Sequence, residues 1–163
     1  MTRSSLIYQL IIFVIILFLV ACANKPKGGL PLAMQQDLQV DTSLIAVIPY
    51  TGEWIPGKTN TPATLTMDDM KRIEFLLTSC VTRNDKTIDL KGEKYKRQYI
   101  AVTNEKGDKI VWVNCLCRVD DSNWKTSIAV VHDGGSCYFN LMINLTKSMY
   151  YDFWVNGYAR AEY

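Results

Sequence analysis

Residues 137–146, CYFNLMINLT, constrain the fold more than any other stretch of this chain. Cys137, Phe139, Leu141, Ile143 and Leu145 recur at every second position, with Tyr138, Asn140, Met142, Asn144 and Thr146 between them. Side chains alternate across a strand, so the first five share one apolar face that must be covered. The next segment, YYDFWVNGY, repeats the pattern with Tyr151, Phe153 and Val155. A turn centred on Lys147, Ser148 and Met149 would set Leu145 opposite Tyr151, Ile143 opposite Phe153 and Leu141 opposite Val155. The two apolar faces then merge. The reverse face carries Asn140, Asn144, Asp152, Asn156 and several aromatics, and is expected to meet solvent or a partner.

A helix is expected to cover the apolar face. Thr66 can cap its first turn, and Asp68 and Asp69 complement the N-terminal dipole. Met70, Ile73, Leu76, Leu77, Cys80 and Val81 then recur at helical spacing, while Lys71, Arg72 and Glu74 fall largely off that stripe.

Around these two elements lie further strands. Residues 44–50, LIAVIPY, read as a first strand, and residues 51–65, rich in Thr, Pro and Gly, as a loop. Residues 99–103 and 109–117 are joined by Asn104-Glu105-Lys106-Gly107, a good hairpin turn. Residues 119–134 fit either a further strand paired through a Gly-Gly turn or a bulged start to the strand at Cys137. This order predicts an α+β domain over residues 41–163, one helix on an antiparallel meander of four to five strands. It is similar to the cystatin-like arrangement, a likeness of topology that implies no function.

Residues 1–40 are of another kind. Arg3 supplies a positive start, residues 10–20 (LIIFVIILFLV) form an apolar core, and Ala21 and Ala23 flank Cys22. The apolar run is shorter than the ~20 residues that cross a bilayer and suits a secretory signal. Leu19-Val20-Ala21-Cys22 resembles the bacterial lipoprotein box. That resemblance implies a diacylglyceryl thioether on Cys22, removal of residues 1–21, and acylation of the new N-terminus. Two or three acyl chains (palmitate among them) hold a protein on a bilayer where one does so marginally. Ala23 in place of an aspartate implies sorting to the outer membrane, and the basic Lys25 and Lys27 favour the periplasmic face. Residues 22–40, with Pro26, Gly28, Gly29 and Pro31, read as a tether, spanning a root-mean-square distance of ~23 Å.

Assigning Cys22 to lipid leaves Cys80, Cys115, Cys117 and Cys137. An exported domain meets an oxidising compartment, so two disulfides are expected. Cys115 and Cys117 are two apart on one strand and poorly placed to bond each other. The favoured pairing is Cys115 with Cys137 and Cys80 with Cys117. A zinc site or free buried thiols are the alternatives, and Cys-x-Cys is weak evidence for zinc.

No catalytic constellation stands out. His132 and Asp133 lie near Cys137, but that thiol should face the core, where a nucleophile is useless. Asp120-Asp121-Ser122-Asn123 lacks the Gly and closing Glu of a calcium loop. Lys91, Lys94, Lys96 and Arg97 form a basic cluster that a solvated strand start explains. The sequon at Asn144 means little in a bacterial lipoprotein. With a net charge of +2 over 163 residues, the chain has no nucleic-acid footprint. Tyr138, Trp154 and Tyr158 fall on the face opposite the core and form a candidate partner surface. The expected function is non-catalytic binding of an envelope protein, an inhibitor or immunity-type role included. An assembly subunit or a small-ligand binder is the alternative. No cofactor or metal is expected.

Overall fold

The computed structural model describes residues 38–91, 94–119 and 122–157. The leader with Cys22, most of the tether, Asp120, Asp121 and Tyr158 lie outside the described residues. In chain order the elements are β1 (Ile45–Val47), β2 (Thr61–Pro62), α1 (Met67–Asn84), β3 (Lys96–Thr103), β4 (Lys109–Leu116), β5 (Tyr138–Asn144) and β6 (Met149–Val155). Short 3-10 turns at Thr42–Leu44 and Gly135–Cys137 lead into β1 and β5. The fold is α+β, one long helix on one sheet.

The sheet has six strands in place of the expected four to five. β3, β4, β5 and β6 form the antiparallel meander. β1 and β2 share the remaining edge of β3, β1 parallel to it and β2 antiparallel. The sheet is therefore mixed. β2 lies inside the segment expected to be loop, and residues 122–134 form turns and coil with no strand.

Helix α1 begins as its sequence indicates. Thr66 Oγ1 accepts the Asp69 N–H at 3.1 Å, and Asp69 Oδ2 accepts the Thr66 N–H at 3.0 Å, a reciprocal capping box. Ile73, Leu76, Leu77, Cys80 and Val81 are buried against Tyr99, Val111, Val113, Cys115, Phe139, Leu141 and Ile143 from β3, β4 and β5. Arg72 fastens the helix to the β5–β6 turn, donating to the Leu145 carbonyl and, at 2.9 Å, to Ser148 Oγ.

The β5–β6 register differs from the expected one. Asn144 pairs with Met149, Ile143 with Tyr150 and Met142 with Tyr151, then the ladder shifts before Asn140 pairs with Trp154 and Phe139 with Val155. The turn is tighter than expected, with Asn144 Oδ1 accepting the Lys147 N–H at 2.9 Å and Ser148 at φ 53°. Asp152, at φ 49°, takes up the extra residue as a bulge. Phe153 and Val155 still pack on the helix-side core, but Tyr150 joins them in place of Tyr151.

A second apolar cluster lies on the reverse face: Ala46, Ile48, Ile55, Ile100, Val102, Ile110, Trp112, Trp124 and Met142. Two irregular segments, residues 50–60 and 122–131, cover it. The second is held by a polar pair on the sheet. Asn114 Nδ2 donates to Gln98 Oε1 and to the Ala129 carbonyl, both at 3.0 Å. Gln98 Oε1 in turn accepts the Ala129 N–H at 3.0 Å, while its Nε2 donates to the carbonyls of Trp124 and Ser127. Buried amides placed this way satisfy coil backbone that no strand pairs.

Candidate functional site

The cysteines divide differently from the expected pairing. Cys117 and Cys137 are bonded, with Cα atoms 5.0 Å apart, while Cys80 and Cys115 are free and buried. The β4–β5 register gives the reason. Leu116 pairs with Tyr138 and Cys115 with Phe139, so one step further Cys117 faces Cys137, and its N–H donates to the Cys137 carbonyl at 2.9 Å. Cys115 points instead into the helix-side core. The disulfide closes a loop of sequence separation 20, the kind worth about 3 kcal/mol, and ties down both ends of the segment that covers the second face. Burial pushes the Cys80 thiol up to about 11, against a partial opposing effect of Asn84, and pushes the Cys115 thiol higher still. Neither thiol is poised as a nucleophile.

The remaining polar candidates serve the fold. Arg97 leaves the expected basic cluster for the helix-side interior, where its Nε lies 3.1 Å from Glu74 Oε1, an ionic contact without hydrogen-bond geometry. Tyr99 Oη donates to the same carboxylate oxygen at 2.5 Å. Burial first, and then the Glu74 charge, hold the Tyr99 phenol well above its ordinary range. Lys96 lies over the Trp124 ring at 5.1 Å, while Lys91 and Lys94 are exposed, so the cluster does not converge. Asn144 is buried and donates to Asp108 Oδ2 at 3.0 Å. His132 and Asp133 are exposed, and the Cys137 sulfur beside them is in the disulfide. Among the described residues no group of three or more His, Cys, Asp or Glu side chains is arranged to hold a metal ion.

What remains is the reverse face and the β6 edge. Of the three expected surface residues, Trp154 is 67% exposed, Tyr138 is half-buried and Tyr158 lies outside the described residues. Gln98, Asn114, Asn140 and Trp154 form a single row across β3, β4, β5 and β6. The loop segments add Trp54, Val130 and Val131, all exposed. Trp54 stacks on Trp112 with ring centroids 4.9 Å apart and 29° between planes. It does so from a backbone at φ 72°, a left-handed conformation that a bulky side chain rarely adopts. A cleft of about 60 Å³ opens between the two loops, lined by Trp54, Trp112, Asn114, Tyr138, Asn140 and Asn156 among others. A larger open cleft of about 270 Å³ lies at the far end of the sheet. Its polar lining serves the turns: Asn104 Oδ1 accepts two backbone N–H groups, and Lys147 pairs with Asp108 at 2.6 Å.

Asn140 and Asn156 are expected on the reverse face, whereas Trp54 and Trp112 are absent from the sequence expectations. Their convergence depends on the path of the 50–60 loop, which no periodicity reveals. The available signal is Trp54 between Gly52 and Gly57, both at positive φ, a loop built to turn sharply around one aromatic.

No family model matches this chain, and no curated protein or solved structure matches it at a significant level.

Proposed function

We propose that this chain is a lipid-anchored bacterial envelope protein whose domain binds a protein partner without catalysis. The resemblance of Leu19-Val20-Ala21-Cys22 to a lipoprotein box supports removal of residues 1–21 and acylation of Cys22. Residues 22–40 then act as a tether to the outer membrane, with the domain on its periplasmic side. Among the described residues no helix is long and apolar enough to cross a membrane.

One observation carries the binding reading: the two edges of the sheet are unlike. The β3 edge is filled by a three-residue and a two-residue strand, the latter containing Pro62, both ways of blunting an edge. The other edge is β6, seven residues long with Asp152 as its one charged side chain. Among the described residues no strand pairs with its outer side. Asn156 N–H donates inward to the Tyr138 carbonyl, so by alternation the backbone groups of Phe153 and Val155 face outward. Trp154 projects beside them, an anchor residue of the type enriched in interface hot spots. A partner strand added here gains main-chain hydrogen bonds and the indole together.

Isolation of tagged protein from native membranes tests both halves. Wild-type chain is expected to sediment with membranes, lack residues 1–21 and carry its partner. Cys22→Ala should keep its leader and lose the acyl mass. Trp154→Ala should remain anchored and lose the partner. A Cys22→Ala chain processed and membrane-held like wild type contradicts the anchor, and undiminished co-isolation by Trp154→Ala contradicts the surface.

A further inference from the structure

We infer that the cleft between the two loops is a binding site for a neutral carbohydrate, with a pyranose ring stacked on Trp54. The inference goes beyond partner binding at β6 and does not depend on the lipid anchor.

Three observations converge on this chemistry. The first is the lining. Among the described residues it offers three aromatic rings (Trp54, Trp112, Tyr138), three carboxamides (Asn114, Asn140, Asn156) and no charged side chain. An anionic ligand would meet no cation among the described residues there, and a purely apolar one would displace water from the Asn140 carboxamide without replacing its hydrogen bonds. A pyranose offers apolar C–H faces for the rings and hydroxyls that both donate and accept, as amides do.

The second is Asn140. Its neighbours in the same row are occupied: Asn114 donates to Gln98 and to the Ala129 carbonyl, and Gln98 holds three backbone groups of the covering segment. Asn156 Nδ2 donates to the carbonyls of Val131 and Asp133. The Asn140 carboxamide has no hydrogen-bond partner among the described residues and lines the cleft, half-buried. Its polar atoms reach solvent in the cleft, so a ligand hydroxyl can replace water on both its donor and acceptor ends.

The third is Trp54 itself. The residue is 40% exposed although its ring is stacked on Trp112. The left-handed backbone at φ 72° sets the ring with one face on Trp112 and the remainder open to solvent. This presents a rigid aromatic face at the mouth of an amide-lined cleft. At about 60 Å³ the cleft has room for a sugar substituent and not the whole ring, a fraction of the ~300 Å³ and upward that enclose a drug-sized ligand. The ring therefore lies at the mouth, and affinity is low for a single sugar and rises with oligomers that extend towards Trp154.

The test is calorimetric titration of the full-length chain, in a detergent without a sugar headgroup, with neutral tetrasaccharides: maltotetraose, cellotetraose, mannotetraose and chitotetraose. At least one is expected to bind saturably, with affinity unchanged between about 50 and 500 mM salt, because no ion pair is formed. Trp54→Ala and Asn140→Leu, each checked for an unchanged thermal transition, are each expected to weaken binding by about tenfold or more. Lys125→Ala, outside the cleft, is expected to leave it unchanged. Should Trp54→Ala fail to fold, Asn140→Leu decides alone. The inference is overturned if no tetrasaccharide binds up to about 10 mM, if binding collapses with salt, or if Asn140→Leu binds as wild type does.

Discussion

At the scale of single residues, the one-step difference between Cys115 and Cys117 decides how the covering segment is held. Cys117 closes the disulfide at the sheet margin; Cys115 becomes an inert filler between helix and sheet. Thiol counting checks this. Alkylation of the unfolded, unreduced protein should label two thiols, Cys80 and Cys115, and reduction should raise the number to four once Cys22 is acylated. In the native state both thiols should resist labelling, because burial raises them above the ordinary thiol value of 9.0. No labelling of the unfolded, unreduced protein would mean two disulfides, and four labelled thiols would mean none. Next to the bridge, Tyr138 packs on Gly134. Gly134, at φ 93°, lies under the Tyr138 ring so closely that a Cβ there would come within 2.5 Å of it.

At the scale of elements, two kinds of polar contact hold the layers together, and each has its own test. On the helix side, Lys109 Nζ lies 2.9 Å from Asp69 Oδ2 and so joins the capping box to β4. Burial alone would raise the Asp69 carboxyl, but the Lys109 and Thr66 hydrogen bonds outweigh it and hold the carboxyl below its ordinary 3.8. A carboxyl lowered by folding contributes stability that is complete above about pH 3.8 and is lost as pH falls through the lower folded value. Denaturant midpoints measured from about pH 5 to 2 should therefore fall less steeply in Asp69→Asn than in wild type. On the reverse side, Asn114→Ala leaves the Ala129 carbonyl and part of Gln98 unpaired. The expected cost is about 1–3 kcal/mol. Hydrogen exchange should quicken across residues 122–131 while the β3–β5 amides stay protected; unchanged exchange would show that the disulfide alone holds the segment.

Helix α1, the β3–β4 hairpin and the apolar face of β5 are all legible in the sequence, because each is written in a local period or turn. Thr66 caps where its spacing says it should, and Cys80 lies on the stripe that the helix buries. The β5–β6 register is not legible, because alternation fixes which face a residue takes only while no bulge intervenes. Asp152 breaks the alternation without any glycine to mark it. Nor is the disulfide, since its pairing depends on the β4–β5 register, which the alternating pattern leaves open by steps of two. Of the candidate site, Tyr138 and Trp154 are accessible to pattern reasoning. Trp54 and Trp112 come together from positions 58 residues apart, through a loop whose path is set by tertiary packing.

At the scale of the whole molecule, the sheet separates three tasks. One face is sealed by the helix, the other is covered by loops that leave an aromatic cleft, and among the described residues β6 is left as an open edge. The proposed anchor at Cys22 would hold this domain within reach of envelope proteins, and the edge would select among them. The most direct measurement of that claim is site-specific photocrosslinking in native cells. A photoreactive residue at position 154, on the exposed side of β6, is expected to give one discrete adduct with a second protein. The same group at position 82, exposed on the outer face of α1, is expected to give none. Equal adducts from both positions, or none from position 154, would contradict the assignment of the β6 edge as the binding surface.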